Sequence, residues 1–172
     1  MRLTAFTRRI GFFRVCITHL FPYQRARIKE GHPITAAYFM TGDGRLTVGE
    51  SEIDCMAGDF VDLAPEMRGK EMIGFANDAG ASWLAFREVQ GHSYKIKVIH
   101  AEDDFTYFAN EDAIIVSLFA DLMINSKRHN VTDWRKIEAG QSVKINGHAH
   151  AVFAVVVETD EGSDEILREV KS

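Results

Sequence analysis

The chain has 172 residues, 46% of them hydrophobic and 26% charged, and carries a formal net charge of −5. That composition is ordinary for a folded protein and excludes wholesale disorder, and the length fits one domain or two small units sharing a core. No apolar run approaches the roughly 18 residues of a membrane-spanning helix. Two cysteines, Cys16 and Cys55, are too few for a disulfide framework or a zinc cluster, so a reducing compartment is expected.

The first 29 residues stand apart. They hold Arg2, Arg8, Arg9, Arg14, Arg25, Arg27 and Lys29 and no acidic residue, whereas residues 30–172 hold 13 basic and 25 acidic ones. A balance of +7 against −12 predicts a basic arm or strand (residues 1–29) that meets something acidic, with Arg8, Arg9, Arg14, Arg25 and Arg27 as oligomer or anionic-partner contacts. An Arg-rich, acid-free start also resembles a mitochondrial presequence. The only apolar stretch, "GFFRVCITHL", is interrupted by Arg14, which argues against a secretory signal. "FFRV" and "LFPYQRAR" interleave aromatics with arginine as nucleic-acid platforms do, but the acidic remainder would repel a polyanion.

Beyond residue 30 the apolar runs are short, β-branched or aromatic, and bounded by Gly, Asn, Asp or Pro. They are "TAAYFM" (35–40), "RLTVG" (45–49), "DFVDLA" (59–64), "SWLAFREV" (82–89), "YKIKVI" (94–99), "AIIVSLF" (113–119), "DLMIN" (121–125), "SVKI" (142–145) and "AVFAVVVE" (151–158). Such runs predict strands, and their number predicts a sandwich or barrel. "TGDGR" (41–45) reads as a turn between two of them. "TDWRKIEAG" (132–140) reads as one helical turn. "SDEILREVKS" has Ser163 as N-cap and Ile166, Leu167 and Val170 at helical spacing, which predicts a short terminal helix. An internal echo relates "TAAYFM…MAGDFVDL" to "AIIVSLF…EAGQSVKI", with Gly58 and Gly140 in equivalent places.

The stretch from Tyr38 to Val89 resembles a cupin half-barrel. Gly42, Gly44, Gly58, Asp59, Pro65 and Asn77 keep the cupin rhythm of a Gly turn, an "aGD" entry to a hydrophobic strand, a Pro and a later Asn. "EAGQSVKINGHAH" follows the second motif less closely. The resemblance implies an all-β, cupin-like jelly roll or double-stranded β-barrel made of two related repeats, residues 30–100 and 101–160, followed by an acidic tail or short helix at 161–172. Cupin metal centres usually draw two His and a Glu from the first motif and one His from the second. Of these places only one, filled by His148 or His150, carries a ligand residue here.

His148 and His150 stand two apart before an apolar strand and so share a face. They could chelate Zn, Fe or Mn if a third ligand joined them, from His129, Glu111, Asp112 or His100. Paired with Asp121, Asp133 or Asp62, an imidazole could instead act as a metal-free acid–base. "SKRHN" (126–130) beside Trp134 is a small basic cluster suited to phosphate or to solvent. The leading expectation is a non-catalytic, cofactor-free binding or assembly protein of the cupin type, cytoplasmic or within an assembled particle and not secreted. It would self-associate or join a larger protein assembly, as a phage or capsid accessory component does. Nucleic-acid contact through residues 1–29 ranks below that, and no membrane contact is expected. The alternative is a small-molecule enzyme or sensor using His148 and His150 as metal ligands or acid–base groups.

Overall fold

Period-two alternation of buried and exposed residues marks strands such as Ser142–Asn146, where Val143 and Ile145 are buried between exposed neighbours, whereas Ala113–Ser117 is buried throughout. The structure, a computed structural model, describes residues 4–28, 33–101, 104–118, 122–146 and 151–159. Among these there are fifteen strands and a single 3-10 turn at Pro65–Met67. The expected terminal helix over 161–172 lies outside the described residues.

The chain divides into two units, residues 1–89 and 90–172. The first has seven strands: β1 (Thr4–Ile10), β2 (Phe13–Leu20), β3 (Arg25–Ile28), β4 (Ile34–Val48), β5 (Ser51–Met56), β6 (Phe60–Asp62) and β7 (Met72–Glu88). Residues 4–28 are therefore strands of this sheet rather than a free arm. The path is β1-β2-β7-β4-β5, with β3 on β7 and β6 on β4, all antiparallel. One face gathers a core that includes Leu20, Ala37, Phe39, Leu46, Cys55, Met72, Trp83 and Ala85.

The second unit packs two four-stranded sheets. β13 (Trp134–Ile137), β10 (Ala113–Ser117), β15 (Ala151–Thr159) and β8 (Ser93–Ala101) form one sheet. β12 (Lys127–His129), β11 (Leu122–Ile124), β14 (Ser142–Asn146) and β9 (Phe105–Phe108) form the other. Ile115, Leu122, Ile124, Val143, Ile145, Phe153 and Val155 fill the core between them. β8 pairs along its whole length with β15, which puts "YKIKVI" in this unit.

Two expectations are corrected. "TGDGR" is not a turn: it continues through β4, whose pairing with β7 slips at Phe39/Thr41 and Gly42/Gly44. A Cβ on Gly42 would stand 1.9 Å from the Gly80 carbonyl oxygen, so these glycines allow two long strands to cross closely. "TDWRKIEAG" is not helical either: Trp134–Ile137 pairs with β10 as strand β13.

The internal echo persists with a shifted partner. At the Gly58 turn, Phe39 N–H donates to the Asp59 carbonyl while the Phe39 carbonyl accepts from Gly58 N–H, and at the Gly140 turn Ala109 makes the same two bonds with Gln141 and Gly140. The strand equivalent to "TAAYFM" is thus "FTYF" of β9 and not "AIIVSLF". The same turn occurs twice more, at Phe21–Gln24 and Asn130–Asp133. In all four turns the fourth residue's N–H donates to the first residue's carbonyl oxygen, and its side-chain oxygen accepts the first residue's N–H. The third residue has positive φ each time: Tyr23 61°, Gly58 95°, Thr132 72° and Gly140 86°.

Candidate basic site on the first unit

Strand register decides which of the sequence-selected arginines meet. Arg9 of β1 lies opposite Arg14 of β2, and Arg14 lies opposite Arg87 of β7. Residues directly opposite share a face, with Cβ atoms about 5 Å apart, so the three arginines form one rung across three strands. Both registers run without a slip, which places this rung on the same side as Leu20, Ala81, Trp83 and Ala85 of the core. The next rung on that face is Thr7–Cys16–Ala85, which brings no carboxylate. Glu88 faces the other way, opposite Phe13.

Among the described residues none of the three arginines meets a carboxylate. Arg9 Nε donates to the Gly11 carbonyl at 3.1 Å, and Arg14 is exposed. The Arg87 stem lies beside Ile34, which is 4% exposed, and its Nε–H is buried with no acceptor. Such an orphaned donor costs about 1–3 kcal/mol, and like charges directly opposite add to that cost. Other arginines of the chain are neutralised: Arg27 pairs with Glu71, Arg45 with Asp54 and Glu52, and Arg68 with Asp62.

The remaining sequence candidates scatter. Arg8 lies opposite Val15 and so on the other face. Arg25 sits over the Phe75 ring at 5.6 Å. His129 is buried, its Nδ1 donating to the Lys127 carbonyl at 2.8 Å. Asp112 caps the N–H of Ala139 and Asp133 that of Asn130, while Asp62 is taken up by Arg68. Glu111 and His100 are exposed. His148, His150 and Asp121 lie outside the described residues, so the metal expectation stays where the sequence left it. Among the described residues no group of three or more His, Cys, Asp or Glu could hold a metal ion. Arg87 is the residue the sequence missed: it lies 58 positions beyond the acid-free stretch, and only the β2–β7 register joins it to Arg14.

Aromatic rings pack inside both units. In the first, Trp83 lies 5.5 Å from Phe39, and its ring covers Gly74, where a Cβ would come within 2.3 Å of it. In the second, Phe153 packs against Phe105 and Tyr107. A cleft of about 310 Å³ opens in the second unit, lined by Asp104, Thr106, Ser126, Lys144 and Asn146 among others. Burial pushes the Cys55 thiol up to about 11, with Asp59 and Asp54 adding to the effect, which makes it a core residue and not a nucleophile.

No family model matches the chain, and no curated protein does. Solved structures do. HutD from Pseudomonas fluorescens SBW25 is similar at 11% identity over 86% of this chain and 79% of that one, with a TM-score of 0.61. A cupin 2 conserved barrel domain protein from Leptotrichia buccalis matches at 9% identity over 92% and 89%, TM-score 0.54. A point mutant of Bacillus subtilis oxalate decarboxylase matches at 9% identity over 91% and 76%, TM-score 0.61. Identities this low carry the fold alone. With its two β units and the recurring glycine turn, the chain has the cupin fold.

Proposed function

We propose that the chain is a non-catalytic cupin-fold module for binding or assembly, and that the arginine face of its first unit meets the acidic surface of a second copy. The observation that carries this is the rung of three arginines that meet no carboxylate among the described residues, in a chain whose net charge is −5. A basic face joined to an acidic body is self-complementary head to tail and can close a ring or extend an array, and a structural component of a larger particle is the extended form of that arrangement.

Light scattering on the full chain tests it. Deleting residues 1–29 would remove three strands of the first unit, so charge reversal is the cleaner comparison. The wild-type chain is expected above monomer mass at low salt, and Arg9→Glu/Arg14→Glu at monomer mass. A wild-type monomer under all conditions sinks the assembly reading.

A second reading keeps His148 and His150 as metal ligands or acid–base groups of a small-molecule enzyme or sensor. It is favoured by the cleft, since β14 lines it and leads in sequence to both histidines. Elemental analysis of chain purified without chelator or His tag tests it. A stoichiometric transition metal lost in His148→Ala/His150→Ala supports it, and a metal-free wild type leaves it without a metal role.

A further inference from the structure

The Arg9–Arg14–Arg87 rung has the chemistry of a receptor, and we propose that it binds a small, doubly charged oxyanion: a phosphate, or a dicarboxylate. This deepens the reading above, because the same face is engaged, but it does not depend on self-association.

Three features converge. The three arginines are in uninterrupted register across β1, β2 and β7, so their Cβ atoms follow one another at intervals of about 5 Å on one face. A planar fork matches two oxygens of a carboxylate or phosphate, which a single ammonium group does not. The described surroundings leave the charge unanswered: the neighbouring rung is Thr7–Cys16–Ala85, and Ile34 flanks Arg87. Finally, the Arg87 Nε–H is buried with no acceptor, in a chain whose Arg27, Arg45 and Arg68 all reach carboxylates. The Nε–H is closed to solvent and so to an anion, but like charges in a row are themselves a cost to the fold, and an oxyanion on the rung answers that. Three positive groups favour two negative charges over one, which selects phosphate or a dicarboxylate over chloride or acetate.

The test is calorimetric titration of the full chain with sodium phosphate and, separately, with sodium succinate, at constant ionic strength held by sodium chloride. Saturable one-site binding of either anion is expected, and the arm that saturates names the source of the oxyanion. Arg14→Gln, an exposed position, should weaken binding about tenfold or more, equivalent to about 1.4 kcal/mol, whereas Arg25→Gln should bind as wild type. Arg87→Met keeps the buried stem and removes both the orphan donor and a like charge. It should lose binding while melting at a higher temperature than the ligand-free wild type, an outcome that a purely structural arginine would reverse. Failure of both anions to saturate by about 10 mM, near the weak end of useful affinities, would falsify the proposal. So would unchanged binding in Arg14→Gln. Light scattering of the same samples separates the two readings: a monomer that binds anion keeps this site and loses assembly, and an assembly that binds neither anion loses this site alone.

Discussion

Thr132 is the residue whose backbone contradicts its side chain. It holds φ at 72° in the third place of the Asn130–Asp133 turn, where Gly58 and Gly140 stand in the turns built the same way. A β-branched residue there is a steric outlier, and left-handed backbone costs an L residue about 1–2 kcal/mol. What keeps it is the network around it: its N–H donates to the Ser117 carbonyl, Ser117 N–H to the Asp133 carbonyl, and Asp133 closes the turn. Thr132→Gly is expected to stabilise the chain by about 1 kcal/mol after the entropy cost of glycine is subtracted, read as a higher urea midpoint at unchanged slope. Gly58→Ala is the mirror test. No atom lies within 4 Å of the Cβ it would carry, so a loss of about 1–2 kcal/mol would come from backbone strain alone. Neutral results in both would remove strain from the account of these turns.

At the scale of elements, strand identity was legible because alternation, β-branching and flanking Gly or Asn are local, and the four-residue turns around Gly58 and Gly140 carry their own signature. What was not legible was continuity. "TGDGR" has turn composition, yet Gly42 and Gly44 are there because β4 and β7 approach too closely for a Cβ, a demand set by residues more than thirty positions away. Gly42→Ala would press its Cβ against the Gly80 carbonyl oxygen while also holding positive φ. The expected loss is about 4 kcal/mol or more, seen as a collapse of the cooperative urea transition. β5 gives a second check. Cys55 is buried in the first unit's core, and its thiol pKa is raised from 9.0 to about 11 by burial, then by Asp59 and Asp54. With the folded value above the unfolded one, stability is unaffected below about pH 9 and falls as pH rises from 9 towards 11. Unfolding midpoints of wild type and Cys55→Ala should run parallel up to pH 9 and diverge above it, wild type falling faster. Parallel curves to pH 11 would show that the thiol is not desolvated.

For the molecule as a whole, charge asymmetry was the strongest sequence signal, and it carries no information on which arginines stand side by side. Composition singled out residues 1–29. Only strand pairing and side-chain contacts separate Arg8, Arg25 and Arg27 from the rung and join Arg87 to it. The histidine pair shows the converse: spacing alone made it conspicuous, and spacing cannot supply a third ligand. If arginine face and acidic body attract between copies, the attraction is long-ranged and screenable, because the Debye length is about 10 Å at 0.1 M salt and about 3 Å at 1 M. Sedimentation velocity from about 0.05 M to about 1 M sodium chloride should then show assembly dissolving steeply with salt. Arg9→Glu/Arg14→Glu moves the net charge from −5 to −9, two units for each substitution, and should show no assembly even at the lowest salt. Assembly that persists or strengthens at high salt would mean that apolar surface joins the copies, and the arginine face would then be left to its anion.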